Sequence, residues 1–426
     1  MQTESPQPDI AHRAPAPTAI LYAAVGFGLL ALMLMLVSLR GRSRTADFSI
    51  YYATAVAVDA GLDPYSIDLS QYMRISGISR MRNNWFVHPP DAPTFTLLTA
   101  PMGWVSAPVA YAVWFMMNMA CLAGSLWLLF GPSSQLDRRT AVFLSVCSLA
   151  FSPLIINIHF AQSQIIVLLG IIAMYRLLES GHDIPAGLVL ATIGLLRVYP
   201  LVLGGHLLVK RRRRAIAALA IGFAAGAAIT VAILGIKSTE SFLHVIGLVG
   251  NAPWLSVPPI EEVRTFNLSL SAFVTRLLMP IFGGITAGAL SLRKPIILVA
   301  DLAILVMTFR ASFRSTPEGS LSLWVATMLL LTPIVWVYYL TSLMFAFGMI
   351  AIAAVHLKTS ATVWQLAIHD YCGLVILAPF LDVLTFRRSM IGWGRGLLGE
   401  LGFLLLLLAW IVARRFALES QSPSHT

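Results

Sequence analysis

Apolar runs long enough to cross a lipid bilayer recur along this chain from about residue 20 to residue 412. A spanning helix needs about 20 consecutive apolar residues, and inside hydrocarbon every backbone N–H and C=O must find its partner within the protein. The chain is therefore expected to be an all-α polytopic membrane protein. Composition agrees: of 426 residues, 58% are apolar and 11% charged, whereas charged residues make up about a quarter of a soluble domain. One membrane domain is expected over residues 19–415, with a disordered, Pro- and Ala-rich cytoplasmic tail at 1–18 and a short cytoplasmic tail at 416–426. The first run, residues 19–39, exceeds the core of a signal peptide and lacks a small-residue cleavage site, so it is expected to stay as an anchor.

The net charge of +10 sits in short loops between the apolar runs, where it sets orientation and forms no nucleic-acid face. Cys121, Cys147 and Cys372 lie inside apolar runs without metal-ligand spacing and read as packing residues. Residues 210–214, KRRRR, are the strongest orienting signal and belong in the cytoplasm, as do Arg138, Arg139, Arg414 and Arg415. An even number of crossings must then separate residue 139 from residue 210, yet three apolar stretches lie there, at 140–158, 164–178 and 184–209. The third is interrupted by Arg197, Val198, Tyr199 and Pro200, and proline disfavours helix at the residue before it. A hairpin turning at Arg197 restores the parity, and backbone broken at membrane depth is expected to line a cavity. This parity puts residues 41–91 and 237–265 outside.

Residues 41–91 form the first external loop, and that loop is unusually polar. Its segment 45–77 holds Asp47, Asp59, Asp63 and Asp68. Asp47 lies nearest the membrane, just before an aromatic and β-branched run that predicts an interfacial helix, where an aspartate serves as a helix cap or as a general base for a lipid-borne substrate. Asp59 and Asp63 flank Gly61 and precede Pro64, the pattern of a turn. Arg197 is costly in an apolar run; a lipid phosphate suits its forked guanidinium, and snorkelling to the interface is the alternative. His159, Gln162 and Gln164, in NIHFAQSQ, occupy an external turn where side-chain amides bind a sugar or cap a helix. Trp336, Tyr338 and Tyr339 occupy another, as belt aromatics or as sugar contacts. In FVHPPDAP, the prolines beside His88 fix the direction of the chain.

Taken in order, these segments resemble glycosyltransferase family 87, the polyprenol-phosphate-mannose-dependent α-mannosyltransferases of the GT-C superfamily. The family's first-loop aspartate, tyrosine-rich helix and Gly-x-Asp-Pro-Tyr are matched by Asp47, Tyr51, Tyr52 and GLDPY at 61–65. Its Tyr-Pro-Pro corresponds to His88, Pro89 and Pro90, and its Pro-Leu then Ala-Tyr-x-x-Trp to Pro101 and AYAVW at 110–114. Gly-Gln-x-Asn appears as AQSQ at 161–164, Lys-x-Tyr-Pro as RVYP at 197–200, and Asn-x-Ser-Leu as NLSL at 267–270. The chain departs from the family at residues 333–338, where PIVWVY replaces Pro-x-Ser-Trp-x-His, so a histidine is lost and Tyr338 gained.

The resemblance implies a GT-C fold of about 10 to 12 transmembrane helices with interfacial helices in the external first loop. It implies an inverting transfer of a hexose, mannose above all, from a polyprenyl monophosphate donor to a lipid or glycan acceptor, with no metal or other cofactor. Asp47 becomes the catalytic base. Arg197 and Tyr199 become donor-phosphate ligands. Tyr51, Tyr52, His88, His159, Gln162, Gln164, Asn267, Trp336 and Tyr338 become sugar or acceptor contacts. The expected setting is a bacterial inner membrane with the site on its outer face, among membrane lipids. Two alternatives stay open: a transporter or lipid-linked-sugar flippase, and a GT-C enzyme using another polyprenyl-phosphate sugar. A transporter would place its carboxylates near mid-membrane, where this chain has few, Asp301 and Asp382 among them.

Overall fold

A computed structural model describes residues 19–37, 46–69, 89, 91–250, 267–282, 287–386 and 393–420. Nearly all of them are helical, as burial in hydrocarbon requires. Among the described residues, seven helices are long and apolar enough to cross a membrane: Ala19–Val37 (α1), Ala107–Ser134, Arg213–Leu234, Ser291–Arg314, Val337–Val355, Ala361–Pro379 and Glu400–Glu419. A bent pair, Arg138–Leu149 and Ser152–His159, whose axes differ by 55°, reaches a comparable apolar length when taken together. Proline at the start of the second member excludes a continuous helix there; this break was not anticipated from the apolar pattern. Shorter apolar helices lie at Asp183–Leu196, Tyr199–Val209 and Pro317–Leu331.

The turn expected at Arg197 is present. Helix Asp183–Leu196 stops there because Arg197 is extended, with φ −142° and ψ 122°, and Tyr199–Leu203 and Gly204–Val209 follow. Three contacts show that the chain reverses. Asp183 is ion-paired to Arg212 at 3.2 Å, a Cβ on Gly187 would meet the carbonyl oxygen of Ala215 at 2.1 Å, and one on Gly226 would meet Leu195 at 2.2 Å. Helices Asp183–Leu196 and Arg213–Leu234 therefore lie against each other and run the same way, and residues 199–209 must return between them. The glycines let the two backbones touch.

The same reading sorts the loops to the two ends of the bundle. At one end Lys210 donates to the carbonyls of Ser312 (2.9 Å) and Ser315, Ser360 donates to Glu419 (2.7 Å), and the N–H of Thr316 donates to Ser420 (3.0 Å). Arg138 and residues 210–214 lie at this basic end. The opposite end gathers Ala46–Asp59 (α2), residues 91–104, the turn at 160–164, Arg197, and residues 267–269 with 333–339. The N–H of Leu268 donates to the carbonyl of Val335 at 2.8 Å, joining the last two segments. Helix α2 lies on Ala100–Trp104 so closely that a Cβ on Gly103 would stand 2.9 Å from the carbonyl oxygen of Ala55. The hydroxyl of Tyr52 donates to Val105 at 2.9 Å.

Candidate active site

The turn between Ser152–His159 and Gln164–Glu179 is the floor of a polar cluster at the end opposite the basic loops. Ala161 takes φ +55°, a left-handed conformation that an L residue with a Cβ rarely adopts. Its neighbours hold it there. The indole of Trp114 donates to the Ala161 carbonyl at 2.7 Å, the Gln162 N–H donates to the Asn157 carbonyl at 2.9 Å, and the Gln164 N–H donates to Asn157 Oδ1 at 3.2 Å. Such backbone strain persists where its surroundings over-determine it, often at functional sites. The turn aims Gln162 at α2. Its Nε2 donates to Asp47 Oδ2 at 2.8 Å, and its Oε1 accepts from the Tyr51 hydroxyl at 2.7 Å.

Behind Gln162 lies Arg197. Its Nε donates to Ser163 at 3.1 Å, while Nη2 donates to the Tyr51 oxygen at 3.1 Å and to Gln162 Oε1 at 3.2 Å. Its Nη1 is ion-paired with Asp91, and the Phe95 ring lies 5.5 Å beneath the guanidinium carbon. Asp91 stands two residues before the helix Pro93–Thr99, next to its N-cap Ala92, and its backbone carbonyl accepts the Tyr65 hydroxyl at 2.8 Å. Phe95, Tyr51 and Trp114 pack edge to face with centroids 5.0 to 5.8 Å apart and close the cluster against water. Burial pushes the Asp91 carboxyl up, and the charge of Arg197 pulls it back. Burial also drives the Tyr51 phenol well above its ordinary range, so it remains a neutral donor.

The structure brings Asp47, Tyr51, Gln162, Gln164, Arg197 and Tyr199 together, with Tyr199 donating to Gln164 Oε1. Tyr338 and Tyr339 stand within electrostatic reach of Asp47 and Arg197, their rings 5.3 Å apart. His159 sits on the rim, its ring 5.0 Å from that of Phe160, and Trp336 lies half-buried at the start of residues 337–342. His88 falls outside the described residues.

Several expectations change. Arg197 is not an open fork waiting for phosphate. A guanidinium has five N–H groups, and Asp91, Ser163, Tyr51 and Gln162 accept four of them. The Tyr199 hydroxyl donates to Gln164, and the Tyr52 hydroxyl donates to Val105. Asn267 is fully buried; its Oδ1 accepts the N–H of Val335 at 3.0 Å and of Ser269 at 3.1 Å, which makes it a clip between two turns. Asp59 and Asp63 are structural, as the turn pattern predicts, accepting Trp104 and the pair Ser238 and Ser241. Sequence reasoning passed over Asp91. The available signal was a carboxylate inside a proline-bounded segment directly before an apolar helix.

A family model described as glycosyltransferase family 87 matches residues 86–333, more than half of the chain. The chain belongs to glycosyltransferase family 87. Glycosyl transfer is thus its reaction class, and the transporter alternative gives way. Asp91, Gln162, Arg197 and Tyr199 of this family 87 chain lie inside the match, whereas Asp47 and Tyr51 precede it and join the cluster through the fold. No curated protein matches the sequence.

Proposed function

We propose that this family 87 enzyme moves a hexose, mannose in the first instance, from a polyprenyl monophosphate donor to a hydroxyl of a lipid or glycan acceptor. The observation that carries the reading is Asp47: a half-buried carboxylate at the edge of a buried polar cluster, oriented by Gln162 at 2.8 Å. Asp47 takes the proton of the acceptor hydroxyl as its oxygen attacks the anomeric carbon. The bond from that carbon to the phosphate oxygen breaks, the centre inverts, and polyprenyl phosphate departs. The departing phosphate is already an anion, so it needs no proton from the enzyme. Tyr338, Trp336 and His159 are the sugar and acceptor contacts of this reading.

The positive-inside rule supports an extracytoplasmic site in a bacterial inner membrane, because the cluster lies at the end of the bundle away from residues 210–214. The test is incubation of the purified chain with polyprenyl-phosphate-mannose and native membrane lipids, followed by mass analysis. A new glycolipid heavier by one hexose supports the proposal. Transfer from a nucleotide sugar alone, with the lipid-linked donor inert, refutes it.

A further inference from the structure

We infer that Asp91 and Arg197 are positioning residues for Asp47, acting through the side-chain amide of Gln162. The inference rests on Asp47 being the base of the reaction proposed above. An amide has an acceptor end and a donor end, and its neighbours decide which way it points. Oε1 of Gln162 faces two donors, the Tyr51 hydroxyl at 2.7 Å and Arg197 Nη2 at 3.2 Å. Turning the amide over would set its N–H groups against a guanidinium. Nε2 is therefore the end presented to Asp47, at 2.8 Å.

Arg197 is fixed in its turn. Asp91, 2% exposed, neutralises it from behind, Ser163 holds Nε, and the Phe95 ring lies beneath. Asp91 is tethered from the other side through its carbonyl, which accepts the Tyr65 hydroxyl at 2.8 Å. The contacts run from Asp91 through Arg197 and Gln162 to Asp47, from the buried end of the cluster to its half-buried edge. The arrangement has a chemical rationale. A guanidinium placed directly on Asp47 would stabilise its anion and weaken it as a base. With Asp91 as its counter-ion, Arg197 keeps its own charge one residue back from Asp47, and Gln162 presents an oriented neutral donor.

The experiment measures kcat and KM for both substrates with the full-length, detergent-purified chain, polyprenyl-phosphate-mannose or its glucose analogue, and native membrane lipids. Asp91→Asn is expected to lower kcat about 10- to 100-fold with both KM values within about threefold. In a Gln162→Ala background, Asp91→Asn is expected to lower kcat no further, because the two act on one path. Halving a buried ion pair can unfold a protein, so the neutral pair Asp91→Asn with Arg197→Gln is the second variant, expected to lose kcat to the same degree. An unchanged kcat, a loss that adds to that of Gln162→Ala, or a raised donor KM at constant kcat overturns the inference. Asp47→Asn in the same series separates the two readings. If Asp47→Asn stays active, or the wild type turns over neither donor, the base reading falls and the inference with it; if Asp47→Asn is inactive while Asp91→Asn is not, the inference alone falls.

Discussion

The carboxylate of Asp91 and the guanidinium of Arg197 form a buried ion pair, drawn from the segment before Pro93–Thr99 and from the break between Asp183–Leu196 and Tyr199–Leu203. Each charge has left water for the other. Removing one partner strands its mate, so Arg197→Ala should cost about 3 to 5 kcal/mol of stability, while the neutral double variant should cost clearly less. Equilibrium unfolding in mixed micelles measures both. A single variant no less stable than the double would show that the pair is hydrated.

Tyr51 joins both halves of the cluster, donating to Gln162 and accepting from Arg197. Tyr51→Phe keeps the ring contacts with Phe95 and Trp114 and deletes only the hydroxyl. A loss of about 1 to 3 kcal/mol in stability is expected from the unpaired groups left behind, together with a lower kcat. Unfolding and initial-rate measurements on the same preparation check the two effects.

Asn267 clips the Val335 and Ser269 amides. Asn267→Ala should therefore lower stability by about 1 to 3 kcal/mol and leave KM for donor and acceptor unchanged in the protein that remains folded. A raised KM would return Asn267 to the sugar contacts.

The arginine break and the polar first loop were legible in the sequence because charges and prolines in apolar runs have few physical explanations. Arg197 and Asp47 followed from that logic, and Gln162 from its external turn. Asp91 was not legible: in HPPDAP it reads as part of a chain-direction signal, and only folding reveals the cation beside it. The roles of Asn267 and Tyr52 were hidden for the opposite reason. Both types suit sugar binding, yet here they meet backbone groups from segments distant in the chain. The second break, at residues 150–151, carries no charge, and its one mark in the sequence, Pro153, was passed over.

Orientation can be read directly. A cysteine placed at Arg212 should react with a membrane-impermeant thiol reagent only after the cytoplasmic side is opened, and one at the exposed Ala60, just after α2, should react in intact cells. The reverse pattern would put the cluster on the cytoplasmic face.

The most direct measurement is transfer by Asp47→Asn, with donor binding followed in parallel. Asparagine retains the shape beside Gln162 but cannot take a proton. Transfer should fall at least about a thousandfold while affinity for polyprenyl-phosphate-mannose stays within about threefold. Transfer preserved to within about tenfold would show that another group removes the acceptor proton.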